Sequence, residues 1–118
     1  MKIAPASLTQ PEIPAGSPLI SVVVPVHNEA PNIPPLIEKI GIALAGVDHE
    51  IVYVDDGSSD ASPAVLADLA ALLPTLMRVR HRQSCGQSAA VITGVKAARG
   101  AFIATLDGDG QNDPADIP

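Results

Sequence analysis

The stretch Leu106-Asp107-Gly108-Asp109-Gly110-Gln111-Asn112-Asp113-Pro114 puts two carboxylates one residue apart, directly after the apolar run Ala101-Phe102-Ile103-Ala104-Thr105. That run reads as a buried strand, so the carboxylates lie where a strand passes into a loop. Alternate positions on extended backbone point the same way, and Asp107 and Asp109 are therefore expected to converge on one cation. The glycines between and after them let backbone approach a ligand closely. With the Gln111 amide oxygen added, Asp107, Asp109 and Gln111 make a hard, all-oxygen ligand set suited to Mg²⁺ or Mn²⁺. Such a set leaves coordination positions for a diphosphate, which is the chemistry of an enzyme handling a nucleotide-linked substrate.

Two further polar clusters close apolar runs of their own. They are Pro25-Val26-His27-Asn28-Glu29 and Asp55-Asp56-Gly57-Ser58-Ser59-Asp60. The elements that must position all three can be read from hydrophobic spacing. Residues 19–24 form a β-branched run ended by Pro25. Asn32 can cap a helix running to about Ala45, with Ile33, Leu36, Ile37, Ile40 and Leu44 on one face. A strand over 49–54 follows. Ser62 and Pro63 then read as cap and first turn of a helix ending near Leu73. A short strand spans 76–80, and a helix spans 87–99 with Gly100 as its stop. The last strand covers 101–106, its outer edge expected to be open. This β-α-β-α-β-α-β order predicts an α/β fold with a parallel sheet and right-handed crossovers. In such a sheet ligands bind outside the carboxyl ends of the strands, where all three clusters fall. Residues 1–18 carry four prolines and no periodicity, and are read as a flexible tail.

Plainer readings stand beside these. Asp55, Ser58 and Asp60 have the chemistry of turn and cap residues. His27 fits a satisfied surface histidine, Asn28-Glu29 fits the start of a helix, and Cys85 fits an inert small residue. Gly86-Gln87-Ser88-Ala89-Ala90 opens a helix whose free N–H groups can face an anion. The chain contains neither a P-loop nor G-x-G-x-x-G, so a nicotinamide cofactor is not expected.

Composition narrows the class. Hydrophobic residues are 47% of the 118, yet Tyr53 and Phe102 are the only aromatics. The core must therefore be Val, Ile, Leu and Ala, as suits a parallel sheet with both faces covered. A net charge of −6 offers no basic stripe for nucleic acid. The single cysteine excludes an internal disulfide and suits a reducing compartment. Lys2 is followed by no apolar run of signal-peptide type, and no run is long enough to span a bilayer. A cytoplasmic protein is expected.

In their order and spacing, four segments resemble the family 2 glycosyltransferases of the GT-A fold. They are Val22-Val23-Val24-Pro25-Val26-His27-Asn28-Glu29, Ile51-Val52-Tyr53-Val54-Asp55-Asp56-Gly57-Ser58-Ser59-Asp60, Cys85-Gly86-Gln87-Ser88-Ala89-Ala90 and Leu106-Asp107-Gly108-Asp109-Gly110-Gln111. The last looks most like the polyprenyl-phosphate sugar transferases, the dolichol-phosphate mannosyltransferase-like branch. There alanine usually stands where this chain has Gly108, a change expected to be harmless. The resemblance implies that residues 19–118 are the N-terminal, Rossmann-like nucleotide-sugar-binding half of a GT-A domain. It assigns Pro25, His27 and Glu29 to the base and ribose of a GDP- or UDP-linked sugar, and Asp56, with Val54 before it, to the base or ribose. Asp107 would serve ribose or metal, with Gly108 beside it, and Asp109 and Gln111 the metal and diphosphate. The implied reaction is an inverting single displacement onto a saccharide or lipid hydroxyl, or a lipid phosphate. The catalytic base, the acceptor groups and any membrane association would belong to chain beyond Pro118.

Two other functions fit parts of the pattern. Asp107-Gly108-Asp109-Gly110 mimics the Asp-x-Asp-Gly signature of haloacid-dehalogenase-like phosphohydrolases. That family carries the motif on its first strand and follows it with threonine. A nucleotide-binding module without turnover is the non-enzymatic alternative.

Overall fold

The structure is a computed structural model describing residues 2–5, 17–109 and 114–117. Its strands are β1 (Lys2–Pro5), β2 (Ile20–Val26), β3 (His49–Asp56), β4 (Leu76–His81) and β5 (Phe102–Thr105). Its helices are α1 (Ile33–Ala43), α2 (Ser62–Leu72) and α3 (Gln87–Ala97), with 3₁₀ turns at Ala30–Asn32 and Pro114–Asp116. The sheet order is β1-β5-β2-β3-β4, and all neighbours are parallel except β1 with β5. The expected α/β architecture is therefore present.

Alternation along β2 and β3 divides the core in two. Val22, Val24, Val26, Ile51 and Tyr53 face one side, where Ile33, Leu36, Ile37 and Ile40 of α1 and Leu66 of α2 cover them. Val23, Val52 and Val54 face the other side, with Ile103 of β5 and Ala90 of α3. Both faces of the central strands are thus buried, which is why they read as unbroken apolar runs.

A polar anchor at the amino end of the sheet fixes where β5 starts. Buried Glu50 accepts from the Ser21 hydroxyl at 2.6 Å and from the Arg99 N–H at 2.6 Å, and the Arg99 side chain donates at 3.1 Å. Gly100 N–H donates to Ser21 Oγ at 2.8 Å. Gly100 is consequently not a left-handed helix stop: α3 ends at Ala97 with Ala98 extended. A Cβ at Gly100 would lie 2.6 Å from Ser21 N, so glycine is demanded there by close approach to β2.

Five other expectations change. Asn32 makes no capping bond; its Nδ2 donates to Glu29 Oε2 at 2.6 Å instead. Ser62 is the first helical residue and not the cap: its N–H goes to Asp60 Oδ1 at 2.8 Å, and its hydroxyl accepts from Glu29 N–H at 3.1 Å. Within the segment read as a flexible tail, Lys2–Pro5 forms β1, pairing Lys2 with Thr105 and Pro5 with Phe102. That strand also covers the β5 edge expected to be open. Finally, Pro25 does not end its strand; β2 continues through it to Val26.

Candidate functional site

Pro25 is where the sheet splits. The Val23 carbonyl points toward β5 and accepts the Leu106 N–H at 3.0 Å. Two residues on, Pro25 faces the same side, but pairing of β2 with β5 has stopped at Val23 while pairing with β3 runs on to Val26. Proline's missing donor thus faces the side where β5 has left the sheet, the placement a strand tolerates. The gap falls between β2 and β5, where the strand order reverses: the chain steps from β2 to β3 and β4 on one side and returns to β5 on the other. That is the topological switch point of an open α/β sheet, where ligands bind.

A cleft of about 230 Å³ opens there, lined by Pro25, Val26, His27, Glu29, Asp56, Gln87, Ala90, Asp107, Gly108 and Asp109. Among the described residues its lining contains four carboxylates and neither Lys nor Arg. Seven of the nine sequence-predicted site residues are brought together here. Gln111 lies outside the described residues, as does Asp113. Val54 does not reach the cleft. It is fully buried between the sheet and α3, and only Asp56, two residues further on the same face, emerges at the strand end.

Asp107 and Asp109 both reach the cleft, by a different route from the one expected. Gly108 and Asp109 form a turn, not extended backbone, yet both carboxylates line the cleft and both are exposed. Asp107 Oδ1 accepts from Gln87 Nε2 of α3 at 3.0 Å. The turn is pressed so closely on β2 that a Cβ at Gly108 would fall 2.7 Å from the Pro25 carbonyl oxygen and collide with Val26. Glycine in place of alanine is therefore not a neutral change in this chain.

Asp56 is engaged on every side. Its Oδ1 accepts from His81 Nδ1–H and Cys85 N–H at 2.8 Å each, and its Oδ2 from the Ser84 hydroxyl and Gly86 N–H at 2.9 Å each. Burial works to raise this carboxyl. The donors from Cys85, His81, Ser84 and Gly86 outweigh it and hold the group well below the usual carboxylate range. A carboxylate has about four acceptor positions, and all are taken. Asp56 floors the cleft and ties the loop before α3 to β3.

The β2 and β3 loops are tied to each other in the same manner. His27 Nδ1–H donates to the Asp56 carbonyl at 2.8 Å. Asn28 sits at φ 55°, and its side-chain oxygen accepts the N–H groups of Ser59 and Asp60 at 2.8 and 3.2 Å. Its own N–H donates to Ser58 Oγ at 2.9 Å. Asp60 accepts from Ala30 N–H at 3.2 Å, and Asp55 Oδ1 from Ser58 N–H at 2.9 Å. The hydroxyl and N–H of Ser62 lower the Asp60 carboxyl. Asp55, Ser58 and Asp60 are thus turn and cap residues, the plainer of their two readings. Sequence reasoning had not placed Gln87 and Ala90 at the cleft. Their signal was the connection from β4 to β5, which must carry the start of α3 back across the sheet to the switch point.

A largely parallel sheet with helices on both faces and an acidic cleft at its switch point is the GT-A glycosyltransferase architecture. The chain is similar to the mannosyltransferase PcManGT of Pyrobaculum calidifontis, solved with GDP-Man and Mn²⁺, with a TM-score of 0.71 and 29% identity, over 81% of this chain and 29% of that one. It is also similar to Staphylococcus aureus TarS in complex with UDP-GlcNAc, with a TM-score of 0.64 and 25% identity over 77% of this chain and 26% of that one. The sequence profile of glycosyl transferase family 2 matches residues 21–118, and the chain belongs to that family. A dodecaprenyl-phosphate galacturonate synthase of Rhizobium johnstonii is 41% identical over 89% of this chain and 32% of its own length. An undecaprenyl-phosphate 4-deoxy-4-formamido-L-arabinose transferase of Enterobacter is 42% identical over 84% of this chain and 31% of its own. The chain thus spans about a third of the length of these relatives. Among the described residues no helix is long and apolar enough to cross a membrane.

Proposed function

We propose that this chain is the donor-holding part of a glycosyltransferase that moves a sugar from a nucleoside diphosphate to a polyprenyl phosphate. The observation that carries the reading is the charge of the cleft, which gathers Glu29, Asp56, Asp107 and Asp109 with no Lys or Arg in the described lining. A diphosphate repels such a surface unless a cation lies between them. Asp107 and Asp109 supply the oxygen ligands that Mg²⁺ or Mn²⁺ takes, with Gln111 as a further candidate. Once bound, that cation would offset the charge developing on the departing diphosphate. Pro25, His27 and Glu29 would hold the base and ribose along the end of β2. Asp56 would act indirectly, keeping the start of α3 and its N–H groups facing the phosphates. A phosphate oxygen of the lipid would form the new bond to the anomeric carbon as the bond to the nucleotide breaks, inverting configuration. The names of the polyprenyl-phosphate transferase relatives support this acceptor class, and the GDP-Man and UDP-GlcNAc complexes of the structural neighbours support the donor class.

Titration calorimetry with UDP and GDP, with Mn²⁺, with Mg²⁺ and in EDTA, tests the reading. Binding is expected only with the divalent cation. Equal affinity in EDTA would overturn the metal assignment, and no binding of either nucleotide under any condition would overturn the donor site.

A further inference from the structure

Asp56, His81 and Cys85 place a carboxylate oxygen, an imidazole nitrogen and a thiol sulfur all within 4.8 Å of one another. This set differs in kind from the oxygen ligands at Asp107 and Asp109. Mixed O, N and S donors are what Zn²⁺ takes, and Mg²⁺ does not. We propose that Asp56, His81 and Cys85 form a second cation site, selective for Zn²⁺ and similar thiophilic ions, with three protein ligands and a fourth position left for solvent.

The surroundings of each ligand support this. The His81 ring is held at both nitrogens, with Nδ1 2.8 Å from Asp56 Oδ1 and Nε2 2.8 Å from Thr93 Oγ1 on α3. An oxygen behind the far nitrogen is the usual orienting partner of a ligating imidazole. The Thr93 hydroxyl can donate to a bare Nε2 or accept from Nε2–H, so one partner serves both ring tautomers. Cys85 is exposed, and its thiol donates to the Gln83 carbonyl at 3.3 Å, a weak bond that a metal can displace. Asp56 Oδ1 would exchange only its bond to His81 and keep that from Cys85 N–H, while Oδ2 keeps those from Ser84 and Gly86, so the loop stays tied to β3.

A neutral ring would carry its proton on Nε2 instead of Nδ1, with Nε2–H donating to Thr93 Oγ1, and Nδ1 would bind the ion. The Cys85 thiol gives up its proton to solvent. Each Zn²⁺ therefore releases one proton and forms one bond each to oxygen, nitrogen and sulfur. No electron transfer is involved.

The test uses residues 1–118 in excess Mg²⁺, with Co²⁺ as a coloured substitute and Zn²⁺ as competitor. Cys85 is the sole cysteine, so a thiolate-to-cobalt charge-transfer band reports on this residue alone. One Co²⁺ per chain is expected, with that band present, removed by Zn²⁺ and indifferent to Mg²⁺. Cys85→Ser should abolish the band, and His81→Gln should weaken Zn²⁺ at least ~10-fold. Circular dichroism and melting would verify that both variants fold, and exposed Cys85 makes the serine variant the decisive one. The proposal fails if the wild type shows no such band or if Zn²⁺ binds both variants as tightly as the wild type. It fails equally if one ion is taken up per two chains, or if zinc affinity depends on Asp109 and not on Cys85. It is independent of the sugar-transfer reading, because neither a nucleotide nor turnover enters the measurement.

Discussion

Asp109→Asn removes one of two carboxylates from the mouth of the cleft while keeping the side chain's size. We expect Mn²⁺-supported nucleotide binding to weaken by about 1–3 kcal/mol, the range for losing a charged partner at a site that still needs one, as read by calorimetry. Asp56 should behave differently, because its role is to hold a loop. Replacing it with alanine removes the acceptor of four part-buried hydrogen bonds, and a hydrogen bond to a charged group contributes about 1.5–3 kcal/mol. A stability loss of at least ~3 kcal/mol in denaturant melts is expected, with nucleotide affinity falling as a consequence. The same carboxylate sets a pH dependence. Its folded-state pKa is depressed from the ordinary 3.8, so its contribution is complete above that value and is lost as pH falls through 3.8 toward the folded-state pKa. Thermal melts should decline below about pH 4, and Asp56→Asn should lower the neutral-pH plateau and flatten that decline. The residue types of Asp107 and Asp109 and their position at a strand end made their place in the cleft legible from sequence. What Asp56 does was not legible, because its partners His81, Ser84, Cys85 and Gly86 are distant in the chain and only the pairing of β3 with β4 brings them near.

The parallel strands and the helices followed from spacing, since runs such as Val22-Val23-Val24 and the Ile33, Leu36, Ile37, Ile40 stripe admit one reading each. Cap and stop residues were harder. Asn32, Ser62 and Gly100 carry the right types for helix ends, but each is drawn into a tertiary contact that outweighs its local preference. Gly108 is the same lesson at the end of β5. Gly108→Ala should cost about 1–3 kcal/mol through overpacking against Val26 and the Pro25 carbonyl, and differential scanning calorimetry should show the lowered midpoint. β1 escaped the sequence reading because four residues beside prolines offer no periodicity; its pairing is set by the bare edge of β5. Removing residues 1–16 should leave that edge unpaired, and faster hydrogen exchange at Phe102–Thr105 with increased aggregation is expected.

At the scale of the whole molecule, a cleft of about 230 Å³ is smaller than the roughly 300–1,000 Å³ of most small-molecule sites. It has room for only part of a nucleotide sugar, and the relatives are about three times as long as this chain. Residues 1–118 alone are therefore expected to bind nucleotide without transferring sugar. An acceptor not held in line forfeits much of the ~7–11 kcal/mol that orientation supplies. A radiolabelled nucleotide-sugar assay with polyprenyl phosphate checks this, and turnover by these residues alone would refute it. β1 runs against the other strands and so carries its amino end toward the cleft, with Lys2 opposite Thr105, two residues before Asp107. A fluorescent amino acid placed at position 2 would then lie at the cleft end of the sheet, and a change in its emission on adding nucleotide is expected, with no engineered cysteine to disturb Cys85. The same geometry advises against introducing histidines next to Lys2, where their imidazoles would compete for the very cations under study.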